Sequence, residues 1–179
     1  AVDNAVSKLP SWQQLEFEQK FSDTKEELEK LAEKQDELSK ETTNQKENKA
    51  QKDSLLKQQD ALKESFEEIQ QELEKLDSLN QELEQPNEMP DLDEEQQQTE
   101  QQMNESKENM QKSNMKKAGE NQKKASEQMS EMAQQMEQAM ESMEMQQMEM
   151  DMQSTRQILE NLIKVSFDQE DLLTRSKGV

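Results

Sequence analysis

Apolar residues recur along this chain in one narrow stripe, at alternating steps of three and four. Leu28, Leu31, Gln35 and Leu38 keep that spacing, and Leu55, Gln59, Leu62, Phe66, Ile69, Leu73, Leu76, Asn80 and Leu83 sustain it. Leu55, Leu62, Ile69, Leu76 and Leu83 share one heptad position. A seam this narrow is the signature of helices paired as coiled coils. Composition leaves little room for a thicker core: 28% of the 179 residues are hydrophobic and 3% aromatic, where a globule draws on about 45–50% apolar residues. Composition would also allow an acidic disordered chain. Gly119 and Gly178 are the only glycines, however, and the helix formers Glu, Gln, Lys, Met, Leu and Ala predominate elsewhere, so helix is expected.

Pro86 and Pro90 interrupt this near the midpoint. Proline fixes φ, lacks a backbone donor and pushes the preceding residue out of the α region. The expected fold is all-α: a long antiparallel helical hairpin, a coiled coil folding back at Pro86–Pro90. The organisation read from the sequence is a lead-in over 1–10, a first arm over 11–85, a tip over 86–92, a second arm over 93–175 and a tail over 176–179. Pro10-Ser11 reads as a helix start, with Ser11 and Gln14 at capping-box spacing. Glu16–Lys20, Glu26–Lys30 and Asp36–Lys40 stand at i,i+4 in the favourable order. Between Ser39 and Ser54 the seam nearly vanishes, and the Leu38-to-Leu55 interval does not fit an unbroken heptad. A helix continuing through a stammer or phase shift is the expectation there.

Asp91, Asp93, Glu94 and Glu95 open the second arm, where the helix dipole favours negative charge. Methionine then takes over the seam. Placed at 100° per residue, Met129, Met132, Met136, Met140, Met143 and Met150 fall within about 80° of one another, and Ile158 and Val165 extend them. Met145, Met148 and Met152 fall on nearly the opposite side, with Leu159 on the same face. The first stripe is expected to be the hairpin seam. The second is surplus to it: either it fills against a third segment such as residues 1–9, or it binds a partner helix or another copy of the chain.

With equal rise in both arms, residue i would face roughly residue 176 − i across arms ~110–120 Å long. That register sets Phe17 near Leu159, Phe66 against Met110, and the basic run Lys112–Lys117 against Asp60 and Glu64. The apolar ends would clamp the hairpin base: Trp12, Leu15, Phe17 and Phe21 with Ile158, Leu162 and Val165.

Other chemistry is disfavoured residue by residue. A net charge of −20 opposes nucleic-acid binding and docking on an anionic membrane. There is no cysteine and no histidine, so thiolate sites and imidazole-activated nucleophiles are excluded. No Gly-rich phosphate loop is present, and Asp91-Leu92-Asp93-Glu94-Glu95 lacks the glycine and spacing of an EF-hand. The carboxylates lie on helix faces expected to be solvated, not in catalytic pairs. Thioethers bind Cu(I), and Met140, Met143, Met145, Met148, Met150 and Met152 have suitable spacing. Packing by an adaptable side chain accounts for the same pattern. No cofactor is expected.

Glu84-Gln85-Pro86 through Pro90-Asp91, Lys123-Lys124-Ala125-Ser126-Glu127-Gln128-Met129, and Arg156-Gln157-Ile158-Leu159-Glu160-Asn161-Leu162 ending at Ser166-Phe167-Asp168-Gln169-Glu170 together carry a resemblance. It spans Ser11 to Leu173. The chain resembles the coiled-coil, low-complexity region of a domain-of-unknown-function family of large Bacteroidota cell-envelope proteins, which carry transmembrane helices near their N-termini. The resemblance implies an internal fragment of a larger membrane protein, placed in the envelope on the periplasmic side. Contact with the membrane would then come only through parts of the parent outside this chain. The family supplies no activity or functional residues to carry over.

The function expected is therefore non-enzymatic: a structural or interaction module, a helical spacer or docking arm with protein partners in an envelope complex, or with itself. A chaperone-like arm binding polypeptides through its methionines is the second reading, and soft-metal handling the third.

Overall fold

The computed structural model describes residues 12–44 and 49–177, and among them the chain is all-α. The helices are α1 (Trp12–Asn44), α2 (Lys49–Glu82), α3 (Asp93–Gln111) and α4 (Met115–Lys177). Contacts divide the chain into two compact units, residues 1–140 and 141–179. The expected lead-in, the helix start at Pro10-Ser11, a helix running on through 45–48 and the last two residues of the tail lie outside the described residues.

The antiparallel hairpin is present. Helices α2 and α3 run in opposite directions on either side of Pro86–Pro90, with Lys63 donating to Asn104 (2.8 Å) and Lys107 paired with Asp60 (2.6 Å). Within the first unit each arm is also folded on itself. Gln35 meets Gln59 and Gln14 meets Asn87, which sets α1 antiparallel to α2. Asn109 meets Asn121 and Gln98 meets Gln128, which sets α3 antiparallel to α4. The hydroxyl of Ser39 donates to the Gly119 carbonyl, and that of Ser126 to the Ala32 carbonyl, closing α4 against α1. Residues 12–140 thus form an antiparallel four-helix bundle.

Three sequence expectations change. The first arm is two helices, not one with a stammer. Leu38 and Leu55 share a cluster with Met110 and Ala118, because α1 and α2 run antiparallel. Helices α1 and α2, at 33 and 34 residues, are each about 50 Å long, under half the expected arm. The register also shifts: Asp60 pairs with Lys107 instead of Lys112–Lys117, and Met110 packs with Leu55. The equal-rise assumption fails because residues 83–92 are not helical.

The seams themselves follow the predicted spacing. Helix α1 buries Phe17, Phe21, Thr24, Leu28, Leu31, Gln35, Leu38 and Thr42, alternating by four and three. Helix α2 buries Leu55, Gln59, Phe66, Ile69, Leu73, Leu76 and Asn80, with Leu62 half-buried. Helix α3 contributes Thr99, Met103, Ser106 and Met110, and α4 contributes Ala118, Gln122, Ala125, Met129, Met132 and Met136. Each large apolar side chain so buried is worth about 1.5–3 kcal/mol. The predicted pairs Glu16–Lys20, Glu26–Lys30 and Asp36–Lys40 form, at 2.9, 3.1 and 2.6 Å. They lie at the surface, where such pairs add a few tenths of a kcal/mol each. Lys25 bridges α1 to α4: its hydrogen bond to Glu137 holds its pKa above the usual lysine value, partial burial opposes this, and Glu29 assists.

The two described reversals have different chemistry. At the tip, Asn80 acts as a clamp. Its side-chain oxygen accepts from the Asn87 backbone N–H (2.8 Å), and its amide donates to the Asn87 carbonyl (2.9 Å). Asp93, Glu94 and Glu95 occupy the first turn of α3, as the dipole favours. The α3–α4 turn has neither glycine nor proline. Asn114 N–H bonds to the Asn109 carbonyl and Ser113 N–H to that of Met110, with Ser113 at φ 61°. This is a Schellman closure, with serine in the left-handed place glycine usually takes. Lys52 of α2 donates to the Gln111 carbonyl (2.7 Å), covering an orphan acceptor at the α3 C-terminus.

Candidate interaction surface

Two features of the described residues stand apart from ordinary seam packing: a buried carboxamide layer in the first unit, and an exposed apolar helix in the second.

Each of the four helices puts one polar residue into the layer: Gln35, Gln59, Ser106 and Gln122, all buried. The Gln59 carbonyl oxygen accepts from the Gln35 amide (3.1 Å), the Gln122 amide (2.9 Å) and the Ser106 hydroxyl (3.4 Å). The Gln59 amide donates back to Gln35 (3.2 Å). Gln122 Oε1 has no partner. A polar residue excluded from water costs free energy unless bonded, so any slip of one helix by a turn would break this layer. It fixes register and holds no group suited to acid–base or nucleophilic chemistry. Among the described residues no three His, Cys, Asp or Glu side chains converge on a metal position.

The same seam logic stops within α4. Met129, Met132 and Met136 are fully buried, and Met143 is buried. Beyond it every Met, Leu, Ile, Val and Phe from Met145 to Leu173 is exposed. Of the predicted partner face, Met145 and Met148 are each 64% exposed, Met152 67% and Leu159 56%. The residues of the predicted base differ in burial. Phe17 and Phe21 are buried with ring centroids 5.7 Å apart, but Trp12, Leu15, Ile158, Leu162 and Val165 are exposed. Ile158, Leu162 and Val165 therefore join the exposed surface. At the tip Pro86 is exposed and Pro90 half-buried.

Sequence reasoning missed Ile163, Phe167 and Leu173 as members of that surface. The signal was available: Met145, Met152, Leu159, Ser166 and Leu173 recur at seven-residue spacing, with Met148 and Leu162 three residues on from Met145 and Leu159. That is a second heptad seam, distinct from the one packed upstream. No helix among the described residues is long and apolar enough to cross a membrane. Comparison with protein-family models, curated proteins and solved structures finds no match for the chain.

Proposed function

We propose that the chain is a non-enzymatic interaction module, in which the four-helix unit is a folded scaffold and residues 141–177 are a helical docking arm. The observation that carries this is the change along α4, from Met129, Met132 and Met136 fully buried to an uninterrupted set of exposed apolar side chains from Met145 to Leu173. Contiguous exposed apolar surface on a folded chain marks an interaction site. The resemblance in sequence supports a setting in a bacterial envelope protein, on the periplasmic side, and the exposed arm supports protein partners. The test is photo-crosslinking in the native assembly, with the probe at Met152 or Leu162 and a control at exposed Lys57. Defined adducts at the first two positions and none at the third are expected; equal, diffuse labelling at all three would refute the reading.

A second reading has support from Met145, Met148, Met150 and Met152, which lie exposed on more than one side of the helix. Flexible thioethers adapt to varied apolar partners, as a polypeptide-binding arm requires. Suppression of aggregation of an unfolded client, lost on changing all four to Gln, would favour it over fixed docking.

A further inference from the structure

The docking reading leaves open what covers the arm, and the charges along it select an occupant. On the heptad seam, Met145, Met152, Leu159, Ser166 and Leu173 take position a, and Met148, Thr155, Leu162 and Gln169 take position d. Glu149, Arg156, Ile163 and Glu170 then fall at e, and Glu144, Asp151, Ile158 and Val165 at g. Met150 falls at f, away from any partner.

Resting on the docking reading, we propose that this segment pairs with the same segment of a second copy as an antiparallel coiled coil, Leu159 packing against the partner's Leu162. In that register Met148 meets the partner's Leu173, Thr155 meets the partner's Ser166 as a matched polar layer, and Met152 meets the partner's Gln169, the one apolar-on-polar layer between residues 148 and 173. The flanks agree. Ile158 lies beside the partner's Val165, Ile163 beside the partner's Ile163, and Arg156 opposite the partner's Glu170. Two-fold symmetry makes each unlike pair twice.

The neighbouring arrangements are worse. Slipping one heptad in one direction sets Glu149 against the partner's Glu170. Slipping in the other sets Leu159 against Gln169 and Leu162 against Ser166, and so has more apolar-on-polar layers than the one of the proposed register. A parallel pair sets Glu144 against the partner's Glu149 and Asp151 against the partner's Arg156, each twice, so its flanking charges cancel. Like charges across the e and g flanks are a recognised means of rejecting an orientation.

Because the chain has no cysteine, engineered pairs report the geometry cleanly. In sedimentation velocity the intact chain should dimerise. Under mild oxidation an equimolar mixture of Met148→Cys and Leu173→Cys should give a crosslinked heterodimer, and each variant alone should not. In a parallel pair those two positions are about 37 Å apart at 1.5 Å per residue, and Met148→Cys would crosslink with itself, overturning the proposal. Arg156→Glu should weaken dimerisation roughly five- to tenfold, from two pairs turned repulsive. Adding Glu170→Arg should restore it to within about twofold; no rescue overturns the register. All four positions are exposed, so the first unit folds regardless. A monomer throughout, with defined photo-adducts still formed at Met152, would refute self-pairing and leave docking intact. A monomer without adducts would refute both.

Discussion

Replacing Gln59 by methionine removes the hub of the carboxamide layer without opening a large cavity, since the side chains are both unbranched and similar in length. The Gln35 amide and carbonyl, the Ser106 hydroxyl and the Gln122 amide all lose a partner together. An orphaned buried polar group costs about 1–3 kcal/mol. The four groups belong to one network whose losses do not add, so the expected loss is about 2–4 kcal/mol, below the four-group sum. Gln122→Met gives the contrasting case. It removes the hydrogen bond to Gln59 and a weak one to Met110 Sδ (4.0 Å), leaves the Gln59 oxygen with two other donors and eliminates the unpartnered carbonyl, so its effect should lie within about 1 kcal/mol of zero. Urea denaturation followed by circular dichroism measures both, with unchanged m-values as the control for two-state behaviour. Equal losses for the two variants, or a Gln59→Met loss under about 1 kcal/mol, would refute the hydrogen-bonded layer.

Three further substitutions probe the turns and the α1–α4 approach. A Cβ at Gly119 would stand 2.2 Å from Thr43 Oγ1 and 3.0 Å from the Ser39 carbonyl, so Gly119→Ala should destabilise by about 1–3 kcal/mol despite its better helix propensity. Much of that loss should vanish in a Thr43→Ala background, measured by the same denaturation. Ser113→Gly should stabilise by about 1 kcal/mol, because glycine occupies the left-handed region without strain; a lower melting temperature would contradict the closure described. Asn80→Ala should cost about 1–3 kcal/mol by freeing the Asn87 backbone groups, and hydrogen exchange at the Asn87 amide should accelerate selectively.

Much of the fold was legible because seam spacing survives substitution by polar residues. Gln35, Gln59 and Asn80 were recognisable as seam members from their intervals alone, and the Pro86–Pro90 reversal from proline chemistry. The other reversals were not. The α1–α2 reversal falls in a polar zone that reads equally as weakly packed helix. The α3–α4 turn uses Ser113 where a glycine would have announced it. Ser106 and Gln122 were invisible to a search for apolar periodicity, so four short seams merged into two long ones. The exposed apolar surface was half legible. Its methionine face was separable by angle, whereas Ile158 and Val165 fall on a different angular stripe and, with Leu162, were grouped by composition with the aromatic start of the chain.

The central claim is that α4 passes from core to contact surface within a few turns, and its methionines can report this in one experiment. Peroxide oxidation read by mass spectrometry should modify Met145, Met148, Met150 and Met152 rapidly in dilute protein, and Met103, Met110, Met129, Met132 and Met136 slowly. In the assembled state, Met145, Met148 and Met152 should become protected while Met150, on the outer face, stays reactive. Uniform oxidation of all nine in dilute protein, or unchanged reactivity of Met148 and Met152 on assembly, would contradict the account.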